Sequence, residues 1–190
     1  NEELKSVLLQ ETPWVLQAKN EEEQKKNIAL LFDMVRMSSE LTKTLAQLQG
    51  MQSSNGGFVW FKGGPDDRYI TQYIVTGIGH LKKLNALPKE QEKAINAILA
   101  KAIPYLDKKI KEDYDNLLKY KTNLKSYNTG YMQIQFLYMR SFFKDVPVAA
   151  ANKTAYDYYY KQTQQYWIKE SRYMQGMIAL SLHRSKDVKT

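Results

Sequence analysis

The chain of 190 residues contains no cysteine and only two histidines. Without cysteine it can form no disulfide, no thiolate metal site and no thiol nucleophile of its own. The two histidines, His80 and His183, lie 103 residues apart and have no metal-ligand spacing around them. We therefore expect His80 to be a satisfied histidine of the core or its rim. We predict no catalytic residue, no metal ligand and no bound cofactor in this chain.

Long apolar runs are also missing, since no stretch approaches the roughly eighteen apolar residues that a membrane-spanning helix needs. Lys and Arg outnumber Asp and Glu by 28 to 20, which gives a net charge of +8. The lysines are scattered among acids along predicted helices, a pattern typical of a solvated face. The chain has no arginine cluster and no nucleic-acid motif. We thus expect neither a transmembrane segment nor a nucleic-acid partner.

Helical periodicity runs through most of the chain, whereas strand signals are scarce. The helices predicted from it cover approximately residues 2–11, 14–18, 21–50, 67–84, 88–120, 129–143, 152–168 and 171–184. Asn20 is expected to cap the third of these helices, and Pro104 to kink or break the fifth. The length suits one domain covering residues 1–190, which we expect to be a fragment of a larger domain. The sequence therefore predicts an all-α fold.

Three of the predicted helices open with the same residue types. They begin Tyr-Ile-Thr-Gln at Tyr69, Tyr-Met-Gln at Tyr131 and Tyr-Met-Gln at Tyr173, at spacings of 62 and 42 residues. Each of these helices is apolar on more than one face, while the helices between them are charged and amphipathic. Buried helices that alternate with exposed ones are typical of helical hairpins arranged as a solenoid or a ring. We expect the three tyrosine helices to lie parallel on the inside.

The most distinctive stretch, QSSNGGFVWFKGGPDDRYIT, covers residues 52–71 and carries two double glycines. Glycine suits turns with positive φ and close approach of one backbone to another. We expect a joint in which the first pair turns the chain and the second resets its direction. The three large aromatic side chains should pack against helix ends. The residues of this structural or contact loop are Gly56, Gly57, Phe58, Trp60, Phe61, Gly63, Gly64, Asp66 and Asp67.

The two aspartates of the loop allow a second interpretation. Terpene cyclases hold Mg²⁺ with an Asp-Asp-x-x-Asp motif on a helix, because its carboxylates can bind a diphosphate through the metal. Here Ile70 stands where the third aspartate would be. We therefore expect Asp66 or Asp67 to cap the helix that follows, and the other to favour its positive end.

An aromatic stripe marks the helix predicted near residues 152–168. Such a stripe is either a contact between helices or a docking face for a neighbouring domain, and the sequence leaves both open. Its members are Tyr156, Tyr158, Tyr159, Tyr160, Tyr166 and Trp167.

The pattern GGFxWFxGGxD followed by YITxY resembles the bacterial alpha-2-macroglobulins, within the superfamily of α/α toroids that also includes terpene cyclases and protein prenyltransferases. The resemblance implies an α/α toroid of alternating inner and outer helices, of which this chain is the C-terminal part. It also implies a non-enzymatic role in a large protease trap, an endopeptidase inhibitor of the bacterial envelope. The expected partners are other domains of the same polypeptide and, through the full-length protein, target proteases.

In that family a thioester forms from a Cys-x-x-Gln motif that precedes the GGF segment. The motif is absent from this chain, so the resemblance implies that it lies upstream of Asn1 or is missing from this member. The family also implies an extracytoplasmic location, in the periplasm or at the cell surface. Two other classes stay open from the residues: a toroid enzyme of the terpene cyclase or prenyltransferase type, and a helical protein-interaction solenoid.

Overall fold

The computed structural model describes residues 20–185, so the helices predicted at 2–11 and 14–18 lie outside the described residues. The structure is 72% helix and 3% strand, which confirms the all-α prediction. Its helices are α1 Glu21–Gly50, α2 Arg68–Lys83, α3 Glu92–Lys119, α4 Tyr131–Arg140, α5 Ala150–Tyr166 and α6 Arg172–Arg184. Two 3-10 helices, Lys89–Gln91 and Trp167–Lys169, precede α3 and α6.

The remaining regular structure is a minimal hairpin, in which β1 Phe58–Val59 pairs antiparallel with β2 Asp66–Asp67. Helix α3 continues through Pro104, so of the kink or break predicted at that residue the break is absent. The reason is packing, since Ile103 and Leu106 on either side of the proline are buried. Burial of that face outweighs the local cost of the proline ring in the helix.

The contacts divide the described residues into two compact units, with the boundary between Leu48 and Gln49. Most of α1 belongs to the first unit. Its start is as predicted: the Glu23 amide donates to Oδ1 of Asn20 over 2.8 Å. The first turn carries glutamates at 21–23, which favour the positive end of a helix. Several large apolar side chains of α1 are exposed, namely Leu30, Phe32, Met34, Val35 and Met37.

The second unit contains two layers of helices. In one layer α4 packs between α2 and α6, and in the other α3 packs beside α5. The layers meet where α2 contacts α3 and where α4 contacts α5. Along the chain, α2 to α6 therefore alternate between the two layers.

Helices α2, α4 and α6 run parallel, as their shared tyrosine openings predict. At one end the rings of Tyr69 and Tyr131 lie 6.4 Å apart. At the other end the ring of His80, in α2, is 4.7 Å from that of Phe142, just after α4. The guanidinium of Arg184, at the end of α6, stacks on the same phenyl ring at 3.8 Å. Their starts and their ends therefore lie at the same two levels.

Among the parallel helices α2, α4 and α6, only the middle helix α4 is covered by other helices on nearly every side. Within α4 most side chains are buried, whereas α6 buries Met177, Ile178, Ser181 and Leu182 and exposes its other side. Helix α2 likewise exposes one side, with Tyr69, Tyr73 and His80, so the expectation of all-round burial does not hold for α2 or α6. No described helix packs on the outer side of α6, because α4 is the only long helix with which it forms an extensive contact in the described part of the chain.

A buried ion pair fastens α4 to α3. The Nε atom of Arg140 lies 3.0 Å from Oδ1 of Asp107, and both side chains are almost fully buried. The other guanidinium nitrogens donate to the carbonyls of Phe143 and Val146, over 2.9 and 3.0 Å. One arginine thus holds the end of α4, the following turn and α3 together. Removing either charge would leave the other without its compensating partner.

The aromatic stripe of α5 is mainly a contact between helices. Tyr159 is buried, and the ring of Tyr158 lies 5.1 Å from that of Tyr114 in α3. The ring of Tyr156 meets Phe136 of α4 edge-on at 6.3 Å. Only Trp167, in the 3-10 helix after α5, is largely exposed among the six aromatic residues.

Candidate functional site

The first glycine pair of the loop lies directly against α3. Gly56 has φ of +99°, and a Cβ atom placed on it would lie 2.2 Å from the carbonyl oxygen of Lys101. A Cβ on Gly57 would lie 2.8 Å from Tyr105. The amide of Gly57 donates to Oδ1 of Asn55, which closes the turn. The prediction that glycine here permits close approach of two backbones is confirmed.

Side chains on both sides of this turn complete the joint. The side-chain Nε2 of Gln52 donates to the backbone carbonyls of Gly56 and Ile98, over 3.0 Å each, and so links the loop to α3. Phe58 is fully buried, and its amide donates over 2.8 Å to Oγ1 of Thr71 in α2. The first half of the loop is therefore held to α3 and to the first turn of α2 by hydrogen bonds between side chains and backbone.

The next two aromatic residues lie on the surface. Trp60 is 61% exposed and Phe61 is 65% exposed. The prediction that they pack against helix ends is therefore wrong for both, and correct for Phe58 alone. The physical reason is that they follow β1 in the six-residue loop 60–65, which the β1–β2 pairing projects away from the packed helices. Gly64 packs under the Phe61 ring, whereas Gly63 has φ of +86° and open space around it.

The two aspartates have separate structural roles. Asp67 caps α2, because Oδ1 accepts from the Ile70 amide over 2.8 Å. The carboxylate of Asp66 accepts from the Tyr105 hydroxyl over 2.6 Å and from the side-chain Nδ2 of Asn55 over 3.0 Å. These two bonds, that of Tyr105 first, lower the pKa of Asp66. The capping prediction is confirmed for Asp67, and Asp66 joins the loop to α3 instead.

The concave side of α2, α4 and α6 forms a cavity of about 650 Å³, which we call the tyrosine groove. Helix α4 forms its floor, and α2 and α6 form its walls. The residues that line it are Tyr69, Tyr73, Thr76, Gly77, His80, Tyr131, Gln135, Tyr138, Arg172, Tyr173, Gly176, Met177 and Leu180. All three helix-opening tyrosines that the sequence singled out meet here, together with two more.

Tyr131 lies at the centre of the groove's open end. Its ring is 6.4 Å from that of Tyr69, and burial, followed by the neighbouring Tyr173 and Tyr69, raises the pKa of its hydroxyl. At the opposite end the Tyr138 hydroxyl and Nε2 of His80 are 3.2 Å apart. His80 is exposed there, so it is a histidine of the rim and not of the core.

A second cavity of about 850 Å³, the basic pocket, adjoins the groove at the C-terminal ends of the same helices. The two cavities share Leu180. The residues that line the basic pocket are Gly79, Lys82, Lys83, Ser141, Phe142, Lys144, Asp145, Leu180, His183 and Arg184. Arg184 spans the boundary, since it stacks on Phe142 and donates to Oγ of Ser141 over 3.0 Å.

Sequence reasoning found the glycine loop and missed both cavities. The shared tyrosine openings were a usable signal, because parallel helices bring equivalent positions together. The four-residue spacing of Tyr69 and Tyr73 placed both rings on one helix face. What the sequence alone does not reveal is which side of each tyrosine helix stays open.

In the described residues no group of three or more His, Asp or Glu side chains could hold a metal ion. None of the described helices is long and apolar enough to cross a membrane. In comparisons with protein-family models, curated proteins and solved structures, nothing matches this chain.

Proposed function

We propose that this chain is a non-enzymatic α/α-toroid domain of an alpha-2-macroglobulin-like protease trap of the bacterial cell envelope. The observation that carries the proposal is the geometry of the glycine loop. Its GGF segment lies against α3, and Thr71 of its YIT segment accepts from the Phe58 amide in the first turn of α2, so the glycines, Phe58 and Thr71 of the family-like motif each have a structural reason at their positions. The chain would form one part of a larger toroid domain.

Two further observations support this function. The helices from α2 to α6 alternate between two layers, and the helices of one layer, α2, α4 and α6, run parallel. This arrangement is expected of helical hairpins taken from a toroid. Trp60 and Phe61 project beside this layer on a loop whose base is fixed by buried Phe58. A fixed loop with an exposed aromatic tip suits contact with another domain of the same polypeptide, because aromatic anchors dominate many interfaces.

The test uses the full-length protein that contains this chain. After incubation with trypsin, a trap should suppress cleavage of a large substrate such as casein while sparing cleavage of a small chromogenic peptide. We expect the double variant Trp60→Ala/Phe61→Ala to lose this protection while keeping its melting temperature. The matched control is Tyr120→Ala, an exposed aromatic residue at the end of α3. Equal inhibition, or equal absence of inhibition, for the two substrates would contradict the proposal.

A further inference from the structure

The tyrosine groove and the basic pocket form one continuous surface along the parallel helices. Leu180 belongs to both cavities, and Gly79 of the basic pocket directly precedes His80 of the groove. From Tyr69 to Lys83 the wall formed by α2 rises about 21 Å, at about 1.5 Å per residue. An extended polypeptide of six residues covers about 20 Å. The surface therefore has the length of a short extended segment.

The charges of this surface have one predominant sign. The basic pocket contains four Lys and Arg side chains, those of Lys82, Lys83, Lys144 and Arg184, but a single acid, Asp145. The groove adds Arg172 and no carboxylate among the residues that line it. Between residues 20 and 185, neither Lys82, Lys83 nor Arg172 forms an ion pair with another described side chain. Such a surface attracts an anionic partner.

Helix dipoles explain only part of this pattern. Cations are favoured near the C-termini of helices, which accounts for Lys82, Lys83 and Arg184 without any ligand. Lys144 fits the same explanation, because its Nζ donates to the carbonyl of Arg184 at the C-terminal end of α6. Arg172 is the exception, since it lies at the N-terminal end of α6, where the dipole disfavours a cation. Positive side chains at both ends of the surface are better explained by a partner that carries negative charge along its length.

The middle of the surface is built to receive a backbone. Cβ atoms placed on Gly77 and Gly176, which face each other's helices across the groove, would meet nothing within 4 Å. The rings of Tyr69 and Tyr73 stack at 6.5 Å and form an aromatic wall with polar edges. Grooves lined by aromatic rings bind extended peptides, and proline-rich ones in particular, at a low cost in conformational entropy.

We propose that this surface binds an extended acidic peptide, with proline or aromatic residues over the tyrosines and carboxylates in the basic pocket. We prefer a peptide to an acidic glycan because Gly77 and Gly176 leave room for a backbone beside the tyrosine rings, and the glycan is tested below as a competitor. The inference is argued from the helical layer of this chain and does not depend on the protease-trap function.

The experiment measures fluorescence anisotropy of a fluorescein-labelled peptide of two prolines followed by four glutamates, titrated with the 190-residue chain. We expect saturable binding that weakens as NaCl is raised, because exposed charges are screened. Lys82→Ala/Lys83→Ala should weaken binding by about tenfold and Tyr173→Ala by about fivefold. All three side chains are exposed, so the fold should tolerate these changes, and circular-dichroism melts verify that it does.

Matched controls separate this surface from general electrostatic attraction. Lys93→Ala/Lys101→Ala removes two exposed charges from α3, and Tyr120→Ala removes an exposed ring from its end. Both should leave binding within about twofold of the parent. The proposal is overturned by no saturable binding up to about 1 mM peptide, or by equal weakening in the controls. It is equally overturned if an oligogalacturonate of similar charge displaces the peptide at lower concentration than unlabelled peptide does.

Discussion

The two glycine pairs of the loop, seven residues apart, have the same sequence and opposite surroundings. Gly56 and Gly63 both adopt positive φ, +99° and +86°. A Cβ on Gly56 would collide with the backbone of α3 at 2.2 Å, while a Cβ on Gly63 would meet nothing within 4 Å. The first pair is a joint between helices and the second is a turn at the surface. Positive φ at a glycine therefore does not reveal whether that glycine lies in a packed joint or in an exposed turn.

The aromatic residues between the glycines divide in the same way. Phe58 is fully buried, and Trp60, two positions later, is 61% exposed. The boundary between joint and surface thus falls between Val59, the last residue of β1, and Trp60. Each of the following predictions tests one side of this boundary, measured as the free energy of unfolding of the 190-residue chain in denaturant.

Gly56→Ala should have the largest effect, a loss of about 5 kcal/mol or more, or of cooperative folding altogether, because its methyl group would collide with the Lys101 carbonyl. The collision is with backbone, which cannot rotate away. A variant within about 1 kcal/mol of the parent would show that the joint is not rigid.

Phe58→Ala should cost about 3–5 kcal/mol, because it leaves a cavity at a fully buried site. Phe61→Ala, the same chemical change on the exposed side, is its control. Similar losses for the two variants would mean that the boundary between joint and surface is misplaced.

Asp66→Asn should cost about 1–2 kcal/mol near neutral pH, because charged acceptors make stronger hydrogen bonds to the Tyr105 hydroxyl and the Asn55 amide. The folded state lowers the pKa of Asp66, so its contribution is present above the unfolded value of about 3.9 and is lost as pH falls through the folded value. The parent should therefore lose stability relative to the variant below about pH 4. A constant difference between the two proteins from pH 7 to pH 3 would contradict this.

Gly63→Ala should cost about 1 kcal/mol, which is the penalty for positive φ without any collision. Gly77→Ala, in the exposed part of α2 with open space around it, should instead stabilise by up to about 1 kcal/mol. Opposite signs for these two changes would confirm that backbone conformation, and not space, limits Gly63.

Trp60→Ala should have the smallest effect, within about 0.5 kcal/mol, because most of its ring is already in water. A loss comparable to that of Phe58→Ala would show that Trp60 packs against the helices after all, as the sequence led us to expect.

The helices and the joint could be predicted because their causes are local. Asn20 and Asp67 are good caps in any context, and a GGF turn followed by a helical pattern leaves few conformations open. Helix α3 shows the opposite case, since Pro104 predicts a break and burial of Ile103 and Leu106 keeps the helix continuous. Tertiary packing decides whether the helix continues through Pro104, and a single sequence does not show which side chains pack together.

The exposure of Trp60 and Phe61 was missed for a related reason. Large aromatic residues between glycines predict burial on average, whereas the β1–β2 pairing of only two residues each decides their direction. The tyrosine groove needed one fact that no pattern supplies, namely that no described helix covers the concave side of α2, α4 and α6. The individual residues of a site could be found, but its open side could not.

At Asp107, which is paired with Arg140 in the core, folding is coupled to the uptake of a proton in mildly acidic solution. Burial raises the pKa of Asp107 to about 6, and the attraction of Arg140 only partly opposes it. Because the unfolded value is about 3.9, folding takes up a proton at Asp107 between about pH 4 and pH 6. Stability from this group therefore falls as pH rises through that window, opposite in sign to Asp66. The two aspartates therefore have opposite effects on stability in acid. Asp66 loses its contribution as the pH falls below about 4, whereas the contribution of Asp107 grows as the pH falls from about 6 to about 4.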